Sequence, residues 1–240
     1  MSPRVSIVIP AYMEGDSVLP VLERIRESTN IENEVIVVVD DSTDSTAPHV
    51  LAVSERHSNV RLVVNRVGRG PANAIKVGIA DANAPVVVVT MADGCDDPGQ
   101  IDQLTRLVER GVVVAAASRY ARSGQQVGGP LLKGMMSRVA GLTLFLFARV
   151  GTRDATNSFK AYSRAFLDEV GIESDRGFEI GIELVAKARR YRQPVAEVPT
   201  IWLDRAIGES NFKLAVWLPR YLRWYVYAFG PRKRLVDVGS

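Results

Sequence analysis

An α/β fold, a mostly parallel sheet with helices on both faces, is what this sequence predicts. Three observations carry that prediction. Strand-like and helix-like runs alternate with short connections through the first 118 residues, the pattern of successive βαβ units. Four consecutive valines, 86–89, have the unbroken β-branched character of a strand covered on both faces. Between strands, apolar residues recur at helical spacing, as Val18, Val21, Leu22 and Ile25 and again as Ile101, Leu104, Leu107 and Val108.

The first strand covers 5–10, and SIVIPAYMEGD puts a proline, an aromatic and two acids at its end. Asp16 or Ser17 is expected to cap the next helix. Tyr12 and Glu14 precede that cap and stand ready to face a base and ribose. The second strand, 35–40, ends in VVVDDSTDST, where Asp44 reads as a cap. Asp40 and Asp41 lie where a carboxylate often hydrogen-bonds a ribose or base. The third strand, 60–64, leads into GRGPANAIKVG. This is not a dinucleotide fingerprint, because the third glycine of G-x-G-x-x-G falls on Asn73 and the loop follows the third strand. Either it is a plain strand-to-helix turn, or a phosphate approaches the helix start beside Arg66 and Arg69.

The fourth strand, 85–90, runs into MADGCDDP. Asp93, Asp96 and Asp97 therefore gather just beyond the carboxyl end of a central strand, where open α/β sheets bind ligands. Like charges so close raise one another's pKa unless a cation lies among them. Asp97, directly before Pro98, is expected to cap a helix with proline at its first position. That leaves Asp93, with Asp96 beside it, as the candidate metal ligands. The fifth strand covers 112–117.

After Ser118 the alternation breaks. The loop RYARSGQQVGGP leads to an apolar helix over 132–149. An extended piece (157–162), a helix (178–190), a strand (195–203), the loop DRAIGESN and the aromatic, amphipathic FKLAVWLPRYLRWYVYAF follow. The expected organisation is a catalytic domain over 1–211, with 1–118 a nucleotide-sugar half and 119–211 an acceptor half. A C-terminal aromatic and basic segment occupies 212–240.

Of the 240 residues, 47% are hydrophobic, which excludes a disordered chain and allows one large domain. The net charge of +3 is mild, and no nucleic-acid partner is expected. Basic residues do cluster late, as Arg220, Arg223, Arg232, Lys233 and Arg234. The single cysteine, Cys95, excludes an internal disulfide and suits a reducing compartment. Strand-like sequence begins within the first few residues, so no signal peptide is expected. The longest uncharged apolar run, 139–148, is about half of the roughly 20 residues a spanning helix needs, so a buried or interfacial helix is expected there.

In order, SIVIPAYMEG, VVVDDSTDST, RGPANAIKVGI, MADGCDDP, ASRY, TNSFKAYSR, FEIGIELVAKA and DRAIGESNFK resemble the family-2 glycosyltransferases of the GT-A fold. Within them, the dolichol- or polyprenyl-phosphate mannose synthases are the most similar group. The resemblance covers residues 5 to 213 and implies inverting transfer from a nucleoside-diphosphate sugar with a divalent metal, Mg²⁺ or Mn²⁺. It implies that Pro10, Tyr12, Glu14 and Asp41 hold the nucleotide, with Arg205 and Lys213 near the phosphates. Arg69 joins the cofactor-binding candidates from its place beside the helix start that follows the third strand. Asp93 aligns with the usual metal-binding acid, and Asp96 is a further ligand candidate. Arg119, Lys133 and Arg138 match the basic residues that contact the lipid phosphate in the synthases, with Ser137 beside them. Two departures stand out. Met91 replaces the first acid of the family's Asp-x-Asp, and a thioether is a poor ligand for a hard cation. Met13 stands where asparagine is usual.

The function so implied is transfer of a hexose, GDP-mannose being the first donor considered, to a polyprenyl or dolichyl phosphate. The enzyme is expected to sit peripherally on the cytoplasmic face of a membrane, anchored by the interface-type aromatics Trp217, Tyr221, Trp224, Tyr225 and Tyr227 and the basic cluster Arg232, Lys233 and Arg234, with homo-oligomer formation left open. Two alternatives stay open: a hydroxyl acceptor, with Asp154, Glu179 or Glu183 as general base, and a non-catalytic nucleotide-sugar-binding homologue.

Overall fold

The computed structural model describes residues 2–204 and 214–234. Its centre is a seven-stranded sheet. In chain order the strands are β1 (Val5–Ala11), β2 (Asn33–Val39), β3 (Val60–Val64), β4 (Val86–Val89), β5 (Val114–Ser118), β7 (Lys160–Ser163) and β8 (Val195–Pro199), while β6 (Gln125–Val127) and β9 (Ile201–Leu203) form a separate parallel pair. The order across the large sheet is β3-β2-β1-β4-β7-β5-β8. Only β7 runs antiparallel, wedged between β4 and β5. The direction of strand succession reverses between β1 and β4, so a crevice opens there at the carboxyl edge.

Alternation along each strand divides the core in two. Ile7, Ile9, Val86 and Val88 face α1 (Val18–Ser28), α2 (Ala47–Ser54) and α4 (Ile101–Glu109). Val8, Val87 and Val89 face α3 (Pro71–Asp81), α6 (Arg164–Val170), α7 (Ile180–Arg190) and α8 (Leu214–Ala228). The two predicted helical faces are buried at Val18, Val21, Leu22 and Ile25 and at Ile101, Leu104 and Val108. Gly78 of α3 is required by packing: a Cβ there would come within 2.4 Å of Val8 on β1.

Four expectations change. The strand over 195–203 is two strands, because buried Thr200 accepts from Gln125 N while its own N–H goes to Ser118 O, and the chain changes sheets there. Neither Asp16 nor Ser17 caps α1 through its side chain; the helix grows out of a 3₁₀ turn, Gly15–Ser17. The apolar helix α5 (Leu131–Thr143) continues through a π turn, Leu144–Ala148, and this 18-residue run is long and apolar enough to cross a membrane by length and composition. Lys133 and Arg138 do not interrupt it, since helix geometry tolerates charge that an uncharged-run count does not. Only 17% of the run is buried. Finally, the aromatics of α8 turn inward: Trp224 is buried, and Tyr221, Tyr225 and Tyr227 pack against the same core, leaving Leu222, Val226 and Phe229 outside.

Candidate functional site

The loops after β1, β2, β3, β4 and β5 all emerge at one edge of the sheet. Pro10 is buried within β1 and Tyr12, just past it, is exposed. The turn between them and α1 hangs from β2's loop. Met13, with a left-handed φ of 55°, donates its N–H to Asp44 Oδ2 at 2.9 Å, and Glu14 N–H donates to Thr46 Oγ1 at 3.0 Å. Asp44 also accepts from Thr46 N at 2.8 Å, closing the turn before α2 and tying the two nucleotide-edge loops together. The residue at the helix cap is Thr46, which makes no side-chain cap bond, so the expected Asp44 helix cap is replaced by this turn.

Asp40 and Asp41 divide. Asp40 accepts from Asn65 Nδ2 at 2.8 Å and from Gly70 N, the cap of α3, at 2.9 Å. That helix start faces a carboxylate of the protein itself. Gly70 is held at a φ of 117° against the Arg176 carbonyl, where a Cβ would not fit. Asp41 stays half exposed; donors from the Thr43 N–H and hydroxyl hold its pKa below the usual carboxylate value. Exposed Arg69 lies 3.7 Å from it.

At the tip of β4, Asp93 is partly exposed and accepts from Cys95 N at 3.1 Å. Asp96 turns inward instead. Its Oδ2 accepts from Thr90 Oγ1 at 2.8 Å and from Met91 N at 3.3 Å. Burial, reinforced by Asp93, pushes its pKa up to about 6. Asp97 caps the turn before α4, accepting from Gly99 N at 3.0 Å with Pro98 at the first position, as the sequence predicts. No group of three His, Cys, Asp or Glu among the described residues forms a complete metal site.

The acceptor-side cations are not equivalent. Arg119, at the end of β5, is nearly buried and forms a two-pronged ion pair with wholly buried Asp154. Its Nη2 also donates to Ser137 of α5, whose hydroxyl meets Thr156 at 2.6 Å. Burial disfavours both charges, yet the pair prevails: the Asp154 pKa falls and the Arg119 pKa rises. Most of Arg119's charge is therefore answered within the protein. Arg138 is exposed, stacked 5.9 Å from the Tyr120 ring, and Lys133, partly exposed, lies earlier on the same helix. Arg205 and Lys213 lie outside the described residues.

The three candidate general bases also separate. Asp154 is held by Arg119. Glu183 accepts from Glu173 N, Ser174 N and Lys187 Nζ, at 2.7, 2.9 and 2.7 Å. Glu179, at the start of α7, receives Gly177 N–H at 3.4 Å on Oε1, while its buried Oε2 has no hydrogen-bond partner among the described residues. Sequence reasoning passed over Lys160, which lies wholly buried on β7 among these groups; a lysine inside the apolar SFKAY run was the available signal. A groove of about 500 Å³ lined by Arg26, Arg56 and His57 lies at the amino ends of β2 and β3, away from this edge.

A model of glycosyl transferase family 2 matches residues 6–171. The chain belongs to glycosyl transferase family 2. Two curated relatives are called dolichol-phosphate mannosyltransferase. One, from Pyrococcus furiosus, is 27% identical over 88% of this chain, which spans 59% of that protein's length. The other, from Saccharomyces cerevisiae, is 28% identical over 99% of this chain and 93% of its own. Among solved structures, glucosyl-3-phosphoglycerate synthase of Mycobacterium tuberculosis, in complex with Mn²⁺, UDP and glucosyl-3-phosphoglycerate, superposes with a TM-score of 0.70 at 19% identity, covering 96% of this chain and 81% of that one. A mannosyltransferase of Pyrobaculum calidifontis in complex with GDP-Man and Mn²⁺ gives 0.64 at 19% identity, over 94% of this chain and 63% of its own. The family-2 chain thus has the GT-A fold and is a glycosyltransferase.

Proposed function

We propose that this glycosyltransferase moves a hexose from a nucleoside diphosphate, GDP-mannose in the first instance, to a polyprenyl phosphate at a membrane surface. The observation that carries this reading is the juxtaposition on α5 of Lys133 and Arg138 with an exposed apolar face of Leu131, Leu132, Met135 and Val139. Cations beside an apolar surface suit an acceptor with an anionic head and a hydrocarbon chain. The names of the two curated relatives agree with it.

A donor diphosphate fits the crevice between β1 and β4, with Tyr12, Glu14 and Asp41 on the nucleoside side and Asp93 below the phosphates. A divalent cation fits this donor set in one way. Mg²⁺ and Mn²⁺ are commonly held by one or two carboxylates with phosphate oxygens completing the shell, and Asp93 supplies such a carboxylate while the Met91 thioether does not. Such a cation, when bound, neutralises charge on the departing diphosphate.

The chain's own residues do the rest. An oxygen of the acceptor phosphate attacks the anomeric carbon as the carbon–oxygen bond to the diphosphate breaks, inverting the centre. That oxygen is already anionic, so no proton has to be removed. Lys133 and Arg138 offset repulsion between the two phosphates, and Arg119, oriented by Asp154, supports Ser137 beneath them. The buried Oε2 of Glu179, which has no hydrogen-bond partner among the described residues, favours a second reading, a hydroxyl acceptor with Glu179 as base.

Screening GDP- and UDP-sugars for transfer, with and without a short-chain polyprenyl phosphate, tests the proposal. Sugar 1-phosphodiester lipid formed from one donor supports it. Transfer to hydroxyl acceptors alone, abolished in Glu179→Gln, replaces it with the second reading.

A further inference from the structure

Lys160 is wholly buried in the middle of the large sheet, on the antiparallel strand β7. Its register partners are Val89 at the end of β4 and Ala116 on β5. One neighbour strand thus leads to the Asp93–Asp96 tip, and the other leads to Arg119. A lysine so placed needs a reason, because burying an ammonium group without compensation is costly. Among the described residues its Nζ donates to main-chain oxygens: Ala155 O at 3.2 Å and Asn157 O more closely. Burial draws its pKa down to about 7 against the upward pull of Asp154.

Those two carbonyls belong to the segment that carries the acceptor-side pairings. Asp154 grips Arg119; Thr156 meets Ser137 of α5; Asn157 Nδ2 donates to Ala117 O at the end of β5. The helix beneath leaves no slack. A Cβ on Gly181 of α7 would come within 2.9 Å of Asn157 O and 3.4 Å of Lys160 Nζ. The segment is therefore strapped from below by one side chain, and through it α5 and its cations are set at a defined height above the sheet.

We propose that Lys160 is a positioning residue for acceptor binding, holding residues 154–157 so that Arg119, Ser137 and α5 are presented to the acceptor phosphate. The naming of that acceptor rests on the function proposed above; the strap itself does not. Lys160 touches neither substrate and moves no proton in the reaction.

Lys160→Met keeps the stem and removes the donor. Its kinetics are measured with a nucleotide sugar and a short-chain polyprenyl phosphate, and binding of the nucleoside diphosphate is measured separately. The acceptor KM should rise about tenfold or more while nucleoside diphosphate affinity stays within about twofold. Hydrogen exchange of the full chain gives a readout independent of activity. Amides of 154–159 and 119–121 should exchange faster in the variant, with β1 and β2 unchanged. Equal losses for donor and acceptor, or unchanged exchange at 154–159, would overturn the inference. Should the methionine variant not fold, Lys160→Gln, which keeps a shorter N–H donor, must show the same selective pattern. Absence of lipid-phosphate turnover in the wild type counts against the proposed function alone, since the exchange arm still decides the role of Lys160.

Discussion

Arg119 and Asp154 meet in a two-pronged ion pair, Nε to Oδ2 at 2.7 Å and Nη2 to Oδ1 at 2.9 Å, with the carboxylate wholly buried. The Arg119 backbone N–H adds a third bond to the same carboxylate at 3.0 Å. A pair of this kind joins the end of β5 to the loop before β7, two places the chain reaches 35 residues apart.

Removing one partner should therefore be expensive. Asp154→Ala leaves a nearly buried guanidinium unanswered and should cost about 3–5 kcal/mol of stability. Urea unfolding of Asp154→Ala, Arg119→Ala and the double variant checks this. The double change should cost clearly less than the sum of the two, since the second removal takes away a charge already orphaned.

Asp93 and Asp97 should behave differently. Asp93→Asn should abolish turnover and metal-dependent nucleotide binding. Asp97→Asn should retain activity and lose only a few tenths of a kcal/mol, because asparagine also caps well. Isothermal titration with nucleoside diphosphate, with and without Mn²⁺, separates the two roles. Similar catalytic losses in both variants would contradict the assignment. Met91→Asp should tighten Mn²⁺ binding in the same titration by adding an oxygen ligand.

Lys133→Ala and Arg138→Ala should each lower turnover about tenfold or more while donor binding stays intact. Steady-state kinetics against varied acceptor provide the measurement. Dispensable cations together with an inactive Glu179→Gln variant would assign the acceptor as a hydroxyl.

Membrane binding should reside on α5 and the outer side of α8. Flotation with anionic liposomes should show attachment that weakens with salt, each nearby basic residue contributing about 1 kcal/mol. Exposed Leu131, Leu132 and Phe147 offer the apolar part, so a Leu131→Ser, Leu132→Ser, Phe147→Ser variant should float poorly with its fold unchanged. Flotation indifferent to both salt and these substitutions would rule the surface out.

Lys160 predicts a pH dependence of stability. Its pKa falls from 10.5 to about 7 on folding, so between those values the unfolded chain holds the extra proton. Stability then rises with pH, by up to about 1.4 kcal/mol per unit from this group. Below pH 7 both states are protonated and the buried charge weighs fully against folding. Denaturant titrations at pH 6, 8 and 9.5 should show the wild type gaining on Lys160→Met as pH rises; a constant difference would refute the shift.

Much of this architecture was legible in local pattern. The valine run at 86–89 announced a strand buried on both faces, because β-branched residues without a polar alternate suit no other strand position. The i, i+3, i+4, i+7 spacing from Val18 named the buried side of α1 correctly. Asp97 before Pro98 announced its cap, since that bond closes within two residues. Errors arose where partners were distant. Asp16 looked like a cap because its type and place were right, but a 3₁₀ turn runs into α1 and leaves no vacant cap position. The aromatics of α8 looked like interface anchors because nothing in their own segment names α7 as their neighbour.

The sequence by itself determined the strand and helix alternation, the carboxyl-edge crowding of acids, and the motifs by which the family is known. Those properties depend on residues within a few positions of one another, where spacing and side-chain type decide the outcome. Only the tertiary structure decided which charges remain to be used. Asp40 is taken by Asn65 and Gly70, Asp154 by Arg119, and Glu183 by Lys187 and the amides of Glu173 and Ser174, while Asp93 is partly exposed at the β4 tip and Glu179 has one oxygen without a hydrogen-bond partner among the described residues. A charge is committed or available according to what the fold brings within about 3 Å of it, and most of those partners are brought there by the packing of separate elements.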